Sequence, residues 1–323
     1  MSFFNRRRIL LAASIAACVA ALPALGSFPL GLNQAKLHKN VLTHEVILIP
    51  DPQTGLIWAG SALADTPASD LVLRQVIESG PRSAPDKARD AYRHPEASLL
   101  FWGLKPGQTV VEVQPSGGWW TDILAPYLAQ TGGRYIAADA DLANPAVSAA
   151  ARKDRAAFEA RYKANARLYG DVSVVGFGPT SGPLAPPGSV DLILVSRETH
   201  NWVRNGFIHK AFADFHAALK PGGTLAIEDH RAPDGADPAK GDGYISEAYV
   251  IAQAAQAGLV LAGRSEINAN PKDTKDYPFG VWTLPPTRRS APAGQPADPN
   301  FDHRQYDAIG ESDRMTLKFV KPA

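Results

Sequence analysis

The chain holds 323 residues, 45% of them apolar, with 33 Lys and Arg against 32 Asp and Glu and a single cysteine. That composition excludes a disulfide scaffold and a disordered polar chain. A formal net charge of +1 excludes a nucleic-acid binder that works through a strong basic field, and the length suffices for one large domain or two small ones.

Arg6, Arg7 and Arg8 precede an uncharged apolar run from Ile9 to Leu25. A basic head on such a run is the profile of an export signal, so residues 1–26 read as a targeting segment and the protein as periplasmic or secreted. The run from Asn5 to Leu10 fits the twin-arginine pattern, and an ordinary secretory signal fits equally well. Cys18, at the end of Ile15-Ala-Ala-Cys18, looks like a bacterial lipobox cysteine, which makes a lipid anchor at Cys18 the alternative to cleavage near Gly26. Without residues 1–26, which contain three arginines and no acid, 30 basic residues face 32 acidic ones, a net of −2.

Residues 27–85 read as an N-terminal extension or linker. His44 to Pro50 has the pattern of a short strand and Asp70 to Glu78 that of a helical turn or two, with Pro67, Pro81 and Pro85 breaking the rest. From Asp86 to Ala323, strands alternate with helices, the signature of a parallel α/β sheet. Strands are expected at 109–113, 134–138, 172–175, 190–195, 224–228, 259–264 and 315–320. The helices between them are expected at 121–130, 145–169, 208–219 and 245–257. Residues 268–313 read as a loop insertion, with a Pro/Ala-rich stretch at 285–300.

The first strand leads into Glu112-Val-Gln-Pro-Ser-Gly-Gly118. A dinucleotide fingerprint needs glycines at the first, third and sixth places of its turn, and these hold Gln114, Ser116 and Trp119, which argues against a nicotinamide enzyme. An acidic residue ahead of a glycine turn instead resembles motif I of the class I S-adenosylmethionine-dependent methyltransferases. Asp139 at the end of the second strand agrees with that, as does Leu219-Lys-Pro-Gly-Gly223 ahead of the fifth. More specifically, the chain looks like an exported bacterial family described as predicted methyltransferases. The likeness rests on Asp90-Ala-Tyr-Arg-His-Pro95, Phe101 to Gly107, Val110 to Val113 with Gly117-Gly-Trp-Trp120, His200-Asn-Trp202, Asp229-His-Arg-Ala232, Arg264 to Pro271, and Ile309-Gly-Glu-Ser-Asp-Arg-Met315.

The resemblance implies a Rossmann-like α/β fold: a seven-stranded, mostly parallel sheet with an antiparallel last strand and helices on both faces. It implies S-adenosyl-L-methionine as cofactor, held by Glu112, Ser116, Gly117, Gly118, Asp139, Phe177 and Ser196. Glu112 would accept backbone N–H bonds of the turn or reach the methionine ammonium through water, Asp139 would take the ribose hydroxyls, and Phe177 would stack on adenine. Gly117 and Gly118 would let the backbone approach the cofactor. Gln114 and Ser116 depart from the usual glycines.

The fourth and fifth strands end in Ser196-Arg-Glu-Thr-His-Asn-Trp202 and Asp229-His-Arg231. In open α/β sheets the carboxyl ends of the strands face the ligand crevice, which puts Glu198, His200 and Asn201 near the transferred methyl. His200 is a candidate general base. Asp229 would orient His230 for the same task, or Arg231 would clamp an acidic substrate. Structural pairing among those three residues fits the sequence equally. Tyr92 and Arg93 would form a lid over the cofactor. Asp229 and His230 lack a third ligand at suitable spacing, so no metal is expected.

No Pro-Pro-aromatic motif follows the fourth strand, no catalytic cysteine exists for the cytosine C5 route, and no basic stripe is present. Nucleic acid is therefore not the expected substrate. A small molecule or an envelope component is, with O- or N-methylation by direct displacement. Contact with a membrane is expected only through the signal segment or a lipid at Cys18. The alternative is a non-catalytic exported binding protein that keeps the fold, because an exported enzyme has no obvious supply of a cofactor made in the cytoplasm.

Overall fold

The computed structural model describes the backbone of residues 40–41, 44–50, 57–61 and 68–70 and all of residues 71–323. The expected targeting segment 1–26 and Cys18 lie outside the described residues. The chain divides into two compact units, Met1–Ala68 and Ser69–Ala323. In the first, β1 (Asn40–Val41), β2 (His44–Pro50) and β3 (Ile57–Ser61) form an antiparallel sheet in that order.

The second unit opens with four helices, α1 (Ala68–Ser79), α2 (Ala84–Ala88), α3 (Asp90–Arg93) and α4 (Pro95–Trp102). It thus begins at Ser69 and not at Asp86, because α1 packs into it: Leu73 and Val76, one helical turn apart, are buried in its core. The chemistry of α2 and α4 is local. Ser83 caps α2 by accepting the Asp86 N–H, Pro95 starts α4 where its missing N–H costs nothing, and Gly103 ends α4 at φ +86°.

The remaining elements follow in the expected order. They are β4 (Thr109–Val113), α5 (Thr121–Thr131), β5 (Arg134–Ala140), α6 (Ala149–Lys163), α7 (Ala166–Tyr169), β6 (Val172–Phe177) and β7 (Val190–Ser196). Then come α8 (Thr199–Arg204), α9 (Ile208–Ala218), β8 (Leu219–Ala232), β9 (Ile245–Ser246), α10 (Glu247–Gln256), β10 (Val260–Ser265), α11 (Arg304–Ile309) and β11 (Arg314–Val320). The expected helix at 145–169 is two helices. Ser148 caps α6 by accepting the Ala151 N–H, and the chain breaks again at Ala164 and Asn165. No helix among the described residues is long and apolar enough to cross a membrane.

The strand order is β10-β11-β8-β7-β4-β5-β6, with the two-residue β9 paired to the end of β8. β4, β5, β6, β7 and β8 are parallel, and β11 runs antiparallel between β8 and β10. This is the class I methyltransferase arrangement expected from the sequence.

Period-two alternation divides the core into two layers. Val111, Val113, Ile136, Ala138, Ile193 and Val195 face α9 and α10, whereas Val110, Tyr135, Ala137, Leu192 and Leu194 face α1, α4, α5 and α6. Trp102 of α4 is fully buried in the second layer and donates its indole N–H to the Leu317 carbonyl at 3.1 Å, which ties α4 to β11. Burying a side chain of this size contributes about 1.5–3 kcal/mol, and the hydrogen bond removes the penalty of an orphaned donor. The same parity puts Glu112, two residues from Val110, into the second layer.

Candidate active site at the carboxyl ends of the strands

The turn after β4 is secured from three directions. Gln114 and Ser116 adopt left-handed backbone, φ +51° and +53°, at places where glycine is usual. Gln114 holds that conformation because its N–H donates to the Ala138 carbonyl at 2.7 Å and its side-chain oxygen accepts the Trp202 indole N–H at 2.6 Å. Arg161 of α6 donates to the Gly117 carbonyl at 3.0 Å. Ser116 and Gly117 are exposed, and a side-chain carbon on Gly117 would meet nothing within 4 Å.

Gly118 has a different reason to be glycine from the one expected. At φ +83° its missing Cβ would lie 1.9 Å from the Tyr162 hydroxyl, so the close approach is to α6 and not to a ligand. Replacing Gly118 with Ala is expected to cost about 1–3 kcal/mol in urea denaturation. Tyr162→Phe in the same chain should recover part of that loss, and strictly additive effects of the two changes would refute the contact.

Glu112 is corrected as well. It is 3% exposed, beneath the start of α5, and one carboxylate oxygen accepts the Thr121 hydroxyl at 2.8 Å and the Tyr135 hydroxyl at 2.6 Å. Burial pushes its pKa up to about 7, against the pull of those hydroxyls. It shapes the turn from inside the core and, among the described residues, its bonds are to side-chain hydroxyls. Asp139 stands partly buried at the end of β5, accepting the Ala140 N–H at 2.7 Å, and burial raises its pKa. Phe177 does not serve as an adenine platform. It ends β6 at 3% exposure, stacked on Phe215 and edge-on to Trp202, so its ring belongs to the core.

The ends of β7 and β8 carry the titratable chemistry. α8 starts directly after β7 and presents His200, whose Nδ1 lies 2.9 Å from Asp229 Oδ1. Burial disfavours the charged imidazole, but the Asp229 carboxylate outweighs it, and the His200 pKa is raised above the ordinary histidine value. Asp229 therefore orients His200, not His230. The His230 Nδ1 sits 2.5 Å from the Ser312 hydroxyl, and burial together with the charge of His200 holds its pKa well below the usual range. Glu198, in the same cavity, is pushed up to about 7 by burial, and it accepts from the Asn201 amide at 3.0 Å. Ser196 donates to Glu228 at 3.0 Å.

These groups open on a cavity of about 240 Å³ whose walls include Ser116, Arg197, Glu198, His200, His230 and Arg314, with Trp282 and Pro285 of the insertion. Arg231 is not a substrate clamp. It binds Glu247 at 3.2 Å, Glu266 at 2.7 Å and Asp313 at 2.8 Å, fastening the insertion to the sheet. Arg93 is not a lid. It is fully buried, donates to Glu311 at 3.1 Å and lies over the Trp119 ring. Tyr92 lies against Gly310, where a side-chain carbon would come within 2.5 Å of its ring.

Sequence reasoning missed Arg197, Arg314 and Ser312. The run Ile309 to Met315 was visible as a motif, but nothing local showed that β11 pairs with β8 and sets Arg314 opposite His230. Among the described residues, no group of three or more His, Cys, Asp or Glu side chains is arranged to hold a metal ion.

Strand order, glycine turn and carboxyl-end cavity together define a protein with the class I methyltransferase fold. No family model matches the chain, and no curated protein matches it. Solved structures do. A SAM-dependent methyltransferase from Aquifex aeolicus is 20% identical, over 62% of this chain and 93% of that one, at a TM-score of 0.42. The N-methyltransferase NodS from Bradyrhizobium japonicum, in complex with S-adenosyl-L-homocysteine, is 14% identical over 79% of this chain and 99% of its own, at 0.42. The [4+2]-cyclase SpnF is 13% identical over 79% and 93%, at 0.47. At such identities the likeness is one of fold.

Proposed function

We propose that the protein is an S-adenosylmethionine-dependent methyltransferase. It would act on an oxygen or nitrogen of a small molecule or envelope component, after export directed by residues 1–26. The observation that carries this reading is the His200–Asp229 pair, 2.9 Å apart, at the rim of a cavity that the glycine turn also lines through Ser116.

The residues present fit the cofactor. Asp139 offers a partly buried carboxylate at the strand end next to the turn, and Ser116 and Gly117 leave the backbone approachable. When bound, the cofactor supplies an electrophilic methyl group. The protein's part is to hold the acceptor and take its proton: His200 accepts it at the ring nitrogen not bonded to Asp229, and Asp229 fixes the tautomer and stabilises the imidazolium. His230, kept neutral, adds no competing charge.

Calorimetric titration of the full chain with S-adenosylmethionine and S-adenosylhomocysteine tests the reading. Saturable binding of both is expected, and no binding of either at millimolar concentration would overturn it.

A further inference from the structure

Behind the cavity lies a concentration of buried positive charge that methyl transfer does not require. Among the described residues, Arg89, Arg93 and Arg314 converge on Glu311, and Arg314 also stands 3.1 Å from Glu228. Arg197 adds a fourth guanidinium, close enough to Arg314, Glu228 and Glu311 to feel their charges. Four cations thus face two anions. Of the nearby acids, Glu112 and Glu198 are driven toward neutrality by burial, and Asp229 is matched by His200. Burial first, and then the guanidiniums of Arg197 and Arg314, push Arg93 well below the ordinary arginine pKa, whereas Glu228 and Glu311 raise that of Arg314.

The donors are also under-used. Arg314 is 1% exposed at its side chain and lines the cavity; its Nη1 and Nη2 pair with Glu228 and Glu311, and its Nε has no hydrogen-bond partner among the described residues. Arg197 lines the same wall, and among the described residues the one hydrogen bond of its guanidinium is a long one, Nε to the Ser196 hydroxyl at 3.4 Å. Unpaired buried donors are costly, and a carboxylate or phosphate is the complement that a guanidinium fork takes best.

Arg314 stands apart from the cofactor residues, whereas Arg197, just after β7, shares the cavity with Ser116 of the turn. Asp139 and the glycine turn belong to β5 and β4, while Arg314 is on β11, three strands beyond β4 in the sheet order. At about 4.8 Å per strand that is roughly 14 Å across the sheet.

We infer that the acceptor is anionic: a carboxylate or phosphate group seats on Arg197 and Arg314, and the atom to be methylated lies toward His200. This rests on the methyl-transfer reading for the word acceptor. The cavity volume of about 240 Å³ limits what enters to a small acid or the acidic end of a larger molecule.

Thermal unfolding of the full chain, at fixed ionic strength, is measured against inorganic phosphate and separately against citrate, each with and without saturating S-adenosylhomocysteine. At least one anion should raise the Tm saturably, by about 3–6 °C at ten times its half-saturating concentration. The shift should add to that of S-adenosylhomocysteine. Arg197→Gln should abolish the anion shift, and Arg197→Lys, which keeps the charge and loses the fork, should weaken the half-saturation several-fold. No saturable shift beyond a chloride control, or a shift unchanged in both variants, overturns the proposal while leaving the cofactor reading intact. Competition between the anion and S-adenosylhomocysteine overturns it too, by giving the arginines to the cofactor's own carboxylate. Anion binding without any S-adenosylhomocysteine binding defeats the methyl-transfer reading and the acceptor assignment with it.

Discussion

Replacing His200 with Gln should lower methyl transfer by roughly 10²–10⁴-fold, the usual contribution of a positioned general base. Transfer is read from S-adenosylmethionine labelled on its methyl group into envelope extract. The pH profile carries the sharper information. In the proposed reaction the neutral imidazole is the base, and Asp229 holds the His200 pKa above its ordinary value of about 6.5 despite burial. The wild-type rate should therefore climb with pH and reach half its maximum above that value. Asp229→Asn removes the charge that raises the pKa, so the midpoint should move down even as the maximal rate falls with the loss of ring orientation. A His200→Gln enzyme within threefold of wild type, or a profile flat through this range, would remove His200 from the chemistry.

The second large effect concerns stability. Glu311 is 2% exposed and bonds Arg89 at 2.5 Å, Arg93 at 3.1 Å and also Arg314. Burial alone would raise its pKa, but Arg314, Arg93 and Arg89 reverse that and hold it far below the usual carboxylate range. Glu311→Gln leaves buried guanidiniums without their counter-ion and should cost about 3–5 kcal/mol. For a unit of this size that is a fall of roughly 6–20 °C in Tm, read by thermal unfolding.

The sign with pH follows from the depressed pKa. The stabilisation is complete above the unfolded-state value of about 4.3 and drains away as pH falls toward the folded-state value. The gap between wild type and variant should therefore narrow below about pH 4. A Tm within 2 °C of wild type at neutral pH would show that the arginines find other partners.

The strands were legible because β-branched runs such as Thr109–Val113 and Val190–Val195 have one interpretation in a sheet covered on both faces. His200, Glu198 and Asn201 were legible because the strand-end rule places them at the crevice whatever their side chains do. Phe177 was misread for a physical reason: an aromatic after the third strand has the same local signature whether it faces a ligand or Phe215. Gln114 looked like damage to the glycine turn, because its support comes from Trp202, far along the chain. The arginine cluster was illegible for a related reason. Arg93, Arg197 and Arg314 lie in separate segments; Arg93 reads as part of a lid, and the other two each read alone as an ordinary surface charge.

The antiparallel position of β11 also bears on how the molecule assembles. β11 is the last strand in chain order but an interior strand of the sheet, wedged between β8 and β10. Until it arrives, β8 keeps an open hydrogen-bonding edge and β10 has no partner, the kind of edge that invites pairing with another chain. Arg89 and Arg93 meanwhile have no Glu311 to gather them, and like charges keep them apart. Docking of this one strand closes the sheet edge, neutralises the repulsion and sets Arg314 and Ser312 into the cavity wall. A chain in which β11 has not docked therefore also lacks Arg314 and Ser312 in the cavity wall.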